Sequence, residues 1–177
     1  MKTFKLICTF AAVAMLSLFA HAERADRDKP VNLEADRVAV DDRQHMQIFE
    51  GNVKLSQGTL TISTAHMIVR QDAEGFQKGE ARGGIDGLSR FRQKREGRSD
   101  FIEGEAERIE HDSRSEKTEF FGRARVKSGL DEVRGAYISF DAKSENYLVT
   151  NAGSKDRVSA TIQPKEKPKG DTASDKP

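Results

Sequence analysis

Apolar and polar residues alternate along most of this chain. Val38 and Val40 are separated by one residue, as are Met46 and Ile48, Val53 and Leu55, Leu60 and Ile62, and Met67 and Val69. A spacing of two places both members of each pair on one face of a β-strand. From about Pro30 to Ile162 these runs are short and punctuated by Gly, Asn and Asp, which separate strands by turns. The 3.6-residue period of an amphipathic helix is missing from this span. The pattern therefore predicts an all-β chain, with at most a helical turn near residue 23.

The pattern also repeats. Sliding the chain by 71 positions lays Glu34–Val69 over Glu105–Phe140 without a gap. Glu34, Ala35, Arg37, Asp41, Arg43, Phe49, Gly51, Gly58 and Ala65 then meet identical residues at Glu105, Ala106, Arg108, Asp112, Arg114, Phe120, Gly122, Gly129 and Ala136. Chance would supply about two identities in such a window, so the repeat is genuine. Apolar positions correspond as well: Val38 with Ile109, Leu55 with Val126, Ile62 with Val133, Met67 with Ile138, and Val69 with Phe140.

Each copy reads as a strand opened by Glu-Ala-acidic-Arg, an Asp turn, a second strand ending at Phe, a Gly turn, then two strands around Gly58 or Gly129. One such unit cannot bury its apolar face alone, so the copies must stack or face each other. The expected product is a sandwich or jelly roll, left open at its ends. The segment Gln71–Asp100 reads as a Gly- and charge-rich linker with candidate strands near Gly79–Ile85 and Leu88–Gln93.

The ends read differently from the middle. Lys2 and Lys5 precede an uncharged apolar run, Leu6–Ala20, that closes in Ala20-His21-Ala22. This is the grammar of a cleaved export signal over residues 1–22, which predicts release into the periplasm. The domain is expected over residues 23–162. Residues 163–177 carry three of the four prolines and almost nothing apolar, and are expected to be disordered.

Cleavage removes Cys8, the single cysteine, and with it any disulfide, thiol nucleophile or Cys-based metal site. It leaves 28 basic against 29 acidic side chains, which gives no global pull toward nucleic acid. The chain is 36% hydrophobic and 33% charged, too apolar-poor for a thick globule but suited to a thin β structure with one apolar face.

Candidate chemistry is sparse. His45, His66 and His111 do not share metal-ligand spacing, and His66 aligns with Tyr137. Neither a serine-nucleophile motif nor a glycine-rich phosphate loop occurs. Asp41-Asp42 sits between two alternating strands and reads as a turn. The sequence thus predicts a non-enzymatic protein without cofactor or metal.

One basic run, Arg90-Phe91-Arg92-Gln93-Lys94-Arg95-Glu96-Gly97-Arg98, admits two readings. It is either a solvated hairpin turning at Gly97 or a contact for a phosphorylated partner through Arg90, Arg92, Lys94 and Arg95. Nucleic acid suits it poorly, because Trp is absent and Tyr occurs only at Tyr137 and Tyr147.

The opening Asp28-Lys29-Pro30-Val31-Asn32-Leu33-Glu34-Ala35-Asp36, followed by Phe49-Glu50-Gly51-Asn52-Val53-Lys54-Leu55, resembles the LptA/OstA family of periplasmic lipopolysaccharide-transport proteins. Ile102-Glu103-Gly104-Glu105-Ala106 and Phe121-Gly122-Arg123-Ala124-Arg125-Val126 are similar to that family's later strands, although Arg123 replaces the expected Asn. The resemblance spans roughly Asp28 to Ile162.

It implies a twisted, partly open antiparallel β jelly roll built from two related halves, with an interior that accepts the acyl chains of lipid A. It further implies head-to-tail self-association that bridges LptC at the inner membrane and LptD at the outer membrane. The inward alternation of the family assigns the groove to Val31, Leu33, Val38, Val40, Phe91, Ile109, Ile138 and Phe140. A competing reading is a secreted β-repeat scaffold that assembles through its strand edges and binds no lipid. A secreted hydrolase ranks below both.

Overall fold

A computed structural model describes residue 26 and residues 29–95, 97–151 and 157–164. The expected export signal and residues 165–177 of the expected tail lie outside the described residues, as does the turn anticipated near residue 23. The described residues form twelve strands: β1 (Asn32–Glu34), β2 (Arg37–Asp41), β3 (Met46–Gln57), β4 (Leu60–Asp72), β5 (Gly75–Arg82), β6 (Ser89–Lys94), β7 (Phe101–Ala106), β8 (Arg108–Asp112), β9 (Lys117–Ser128), β10 (Asp131–Asp141), β11 (Asn146–Thr150) and β12 (Ser159–Thr161). One turn of 3-10 helix, Ile85–Gly87, links β5 to β6.

Four long strands are shared by two layers. The first parts of β3 and β9 pair with β2 and β8, and their second parts with β1 and β7. Likewise β4 pairs with β6 and then β5, and β10 pairs with β12 and then β11. The chain therefore folds as one antiparallel sheet bent over on itself into a jelly roll, with its crease crossing every long strand.

The crease explains a departure from the sequence reading. Gly51 and Gly122 were expected to be turns separating strands, yet β3 and β9 run straight through them. Gly51 and Asn52 have φ of 77° and 46°, and Gly122 and Arg123 have φ of 73° and 46°. Two successive left-handed residues insert a β-bulge that bends the strand without reversing it. Glycine at the first position is required on two counts: its φ, and an acidic side chain against which a Cβ would clash, Asp36 in one copy and Glu107 in the other.

The second bulge residue holds that same acidic group. Asn52 Nδ2 donates to Asp36 Oδ2 at 2.9 Å, and Arg123 Nε donates to Glu107 Oε1 at 2.7 Å. Arg for Asn at position 123 thus accompanies Glu for Asp at 107. A longer arm meets a longer carboxylate, and the bend is unchanged.

The hairpin tips opposite the crease are also copied. Asp41 Oδ1 accepts from the backbone N–H of Arg43 and Gln44, Asp112 Oδ1 from those of Arg114 and Ser115, and Asp141 Oδ1 from those of Lys143 and Ser144. Asp41-Asp42 is therefore a turn, as its position predicted.

The presumed linker proves to be structural. Gln71–Asp100 supplies the end of β4, then β5 and β6, and joins the two copies through the β5–β8 and β6–β7 ladders. The copies are consequently β1–β6 and β7–β12, with the same internal pairings in each.

Between the layers lies the core. Phe49, Val53, Leu55, Leu60, Ile62, Met67, Val69, Ala81, Phe91, Ile102, Ile109, Phe120, Val126, Ile138 and Phe140 are all buried. Phe120 fits because Gly104 faces it, where a Cβ would lie 2.3 Å from its ring.

Candidate functional site

The register decides which residues share the inner face. Val38 stands opposite Phe49 and Leu33 opposite Leu55, both partners being core residues. Phe91 lies opposite Ile62, and Ile109 opposite both Ala81 and Phe120. Ile138 and Phe140 face Val149 and Tyr147. Val31 precedes β1 and packs on the core. All eight residues assigned to the groove thus lie on or beside the inner face.

They do not share one environment. Phe91, Ile109, Ile138 and Phe140 are at most 2% exposed and form part of a filled waist. Phe91 meets Phe120 edge-on, with ring centroids 5.7 Å apart. Val38 and Val40 are instead 53% and 59% exposed, although they point inward, because β2 is an edge strand without a neighbour on its far side among the described residues. The interior is therefore closed at its middle and open at its ends.

One polar group lies within that waist. His111 is buried, its Nδ1 is 3.0 Å from Thr118 Oγ1, and its ring stacks on Phe76 at 6.2 Å. Burial disfavours the imidazolium and lowers its pKa to about 4, against a small opposing pull from Asp112. The sequence alone showed only an isolated histidine. Its alignment with Val40, at a displacement of 71, was the signal that it faces inward.

The basic run forms the β6–β7 hairpin, with Gly97 at φ 67° in its loop, as the hairpin reading expected. Strand alternation puts Arg90, Arg92 and Lys94 on the face opposite Phe91, outside the interior. Arg90 pairs with Glu105 at 3.8 Å, and Arg92 pairs with Glu103 at 3.1 Å and covers the Phe101 ring at 3.5 Å. Arg90, Arg92, Glu103 and Glu105, with Thr61, Ser63, Arg125 and Lys127, line a cleft of about 430 Å³, which Lys94 does not reach.

Arg95 is placed differently. Its side chain is 14% exposed and bridges Asp100 at 3.2 Å to Glu145 at 3.1 Å. Asp100 ends the β6–β7 loop in one layer and Glu145 ends the β10–β11 turn in the other. Arg95 therefore fastens the two lips of the folded sheet across from its crease.

A second outer cleft, of about 510 Å³ and including Arg123, Arg125, Arg134 and Arg157, lies beside the crease. Its acidic partner Glu132 accepts from Arg125 and Arg134, both at 2.6 Å, and these bonds hold its pKa down to about 2. These arginines are scattered in sequence, so no local run announced them. Among the described residues, no group of three or more His, Cys, Asp or Glu side chains is placed to hold a metal ion.

A family model described as LptA/(LptD N-terminal domain) LPS transport protein matches residues 32–146. The chain is similar to the lipopolysaccharide export system protein LptA of Haemophilus influenzae, 24% identical over 160 residues that cover 90% of this chain and 92% of the relative. It is 25% identical to LptA of Escherichia coli over 168 residues, 93% of this chain and 89% of the relative. Among solved structures it resembles LptH, described as the LptA-homologous periplasmic component of the lipopolysaccharide transport device of Pseudomonas aeruginosa. That match has a TM-score of 0.72 at 21% identity and covers 79% of this chain and 99% of the other.

Proposed function

The chain belongs to the family of LptA and LptD N-terminal-domain lipopolysaccharide (LPS) transport proteins, and from that premise we propose that it is a non-enzymatic periplasmic carrier whose interior takes the acyl chains of lipid A. Copies join head to tail into a bridge between LptC at the inner membrane and LptD at the outer membrane. The observation that carries this reading is the inner face, apolar from Val31, Leu33, Val38 and Val40 at one end to Tyr147, Val149 and Ala160 at the other, with both ends left as strand edges unpaired among the described residues. Each buried methylene contributes about 0.8 kcal/mol, so a long acyl chain in this interior gains on the order of 10 kcal/mol before losses. Unpaired edges are a liability in isolation and a docking surface for strand addition.

The filled waist sets a condition on this mechanism. Phe91, Ile109, Ile138 and Phe140 must part before a chain can pass, and the two lips held by Arg95 are where the folded sheet can widen. The residues assigned to the groove would then line the passage. The outward Arg90, Arg92 and Lys94 would meet phosphates only from outside the sheet.

The same filled waist favours the second reading, a β-repeat scaffold without a lipid cargo. Photo-crosslinking groups at Leu33 and Phe91, compared with one at Arg92, separate the two. A carrier labels LPS from the two inward sites and not from the outward one. Equal or absent labelling at all three, in folded protein, leaves the scaffold.

A further inference from the structure

The copies are already joined once within this chain, and that joint has a defined register. Ala81 faces Ile109 and Gly79 faces His111 across β5–β8, and Phe91 faces Gly104 across β6–β7. The second copy ends in the counterparts of β5 and β6, namely β11 and β12. The first begins with the counterparts of β7 and β8, namely β1 and β2. Each free edge is thus the equivalent of one that is satisfied internally.

The equivalences follow from the ladders. His66 pairs with Arg82 and its counterpart Tyr137 pairs with Thr150, which makes Thr150 the equivalent of Arg82. Thr61 pairs with Arg92 and its counterpart Glu132 pairs with Thr161, which makes Thr161 the equivalent of Arg92. From these equivalences we infer that two copies of this chain join in the register of the internal joint, with Val149 facing Val38 of the next copy and Ala160 facing its Leu33. The inference rests on the head-to-tail reading above and specifies it residue by residue.

The residues placed together are complementary. Besides Val149 and Val38, Tyr147 meets Val40 on the inner face of the first ladder. In the second ladder Val158 meets Ala35 and Ile162 meets Val31. Volume is exchanged across the joint: the internal pair Phe91 and Gly104 is large against small, and Ala160 and Leu33 is small against large.

On the outer face of the first ladder Leu148 meets Ala39. Val38, Val40, Leu148, Val158 and Ile162 are among the exposed large apolar side chains; this register covers the four on the inner face and gives the outward Leu148 an apolar neighbour in Ala39. A shift by one residue would turn Val38 against Leu148 and put inward against outward.

The internal joint carries the outward pairs Arg90 with Glu105 and Arg92 with Glu103. Their equivalents at the outer joint are Ser159 with Glu34 and Thr161 with Asn32. The contact between copies is therefore apolar in character and heterologous, so it extends without closing.

The test uses full chains with Cys8→Ser, each carrying one new cysteine on the exposed outer face, mixed in pairs under mild oxidation. Leu148→Cys with Ala39→Cys is expected to give the disulfide dimer, because directly opposed strand positions lie within bridging distance. Leu148→Cys with Arg37→Cys or Asp41→Cys should give little, since positions two residues away lie roughly 7–8 Å off on the diagonal. Circular dichroism confirms that each variant is folded.

A dominant Arg37→Cys or Asp41→Cys product would overturn the register and leave end-to-end joining intact. Failure of every pair, with light scattering giving one protomer's mass at all concentrations, would overturn the register and the head-to-tail reading together.

Discussion

Ile109 and Val38 occupy the same place in the two copies, on the inner face of an equivalent strand. The first is 0% exposed and the second 53%. Side-chain chemistry does not separate them, since both are β-branched and apolar. Ile109 has β5 as well as β9 alongside it, while Val38 has only β3 among the described residues. Burial here is a property of the joint and not of the residue, so an exposed apolar position at an edge marks a missing neighbour.

The strongest way to break that comparison is to charge both sites. Ile109→Asp buries an unpaired carboxylate and is expected to cost more than about 4 kcal/mol, enough to lose the folded circular dichroism spectrum. Val38→Asp should cost about 0.5 kcal/mol or less and leave a folded protein that stays monomeric on light scattering. Equal destabilisation of the two would refute the argument from missing neighbours.

His111 and Val40 extend the comparison to pH. The His111 imidazole has a pKa of about 4 when folded and an ordinary value of 6.5 when unfolded. Between these values the unfolded chain binds more protons, so stability falls as pH drops from 6.5 toward 4 and then levels off. The loss is on the order of 3 kcal/mol. His111→Phe, which keeps the contacts with Phe76 and Phe91, should flatten this part of the profile in urea melts at pH 7, 5 and 4. Val40→Phe should leave it unchanged.

A smaller effect is expected at the lips. Arg95→Ala leaves Asp100 and Glu145 without their shared cation and should cost roughly 1 kcal/mol, the groups being partly exposed. Hydrogen exchange should accelerate in the turn at Asp141–Glu145 and at Tyr147, while the crease around Gly51 and Gly122 keeps its protection.

The smallest concerns the crease itself. Asn52→Arg alone should lose about 0.5 kcal/mol, because the longer side chain overshoots Asp36, and adding Asp36→Glu should restore it. A double-mutant cycle with no coupling would mean that the Arg123–Glu107 contact is incidental.

Much of the architecture could be read from residue spacing. The all-β class, the repeat and the Asp turns came from period-2 alternation and self-alignment, and the inward set from the resemblance to the family. The linker misled because gapless alignment needs a constant displacement. That displacement is 71 from Glu34 to Val69, but the ladders set it at 68 for β11 and 69 for β12. The bulges were read as turns because Gly followed by Asn suits either role. The same alternation that points Phe91 inward turns Arg90, Arg92 and Lys94 away from it, so that part of the basic run was decidable from sequence. The pairing of Arg95 with Glu145 was not, since 50 residues separate them.

The passage from β5 to β8 without a change of molecule has a consequence for measuring length. If outer joints repeat inner ones, the spacing unit of a filament is half a chain, and every second seam carries a covalent tether. Tethered seams form at a high effective concentration and the others depend on supply. Dilution should therefore cut such a filament only between chains, and its fragments should always hold an even number of halves.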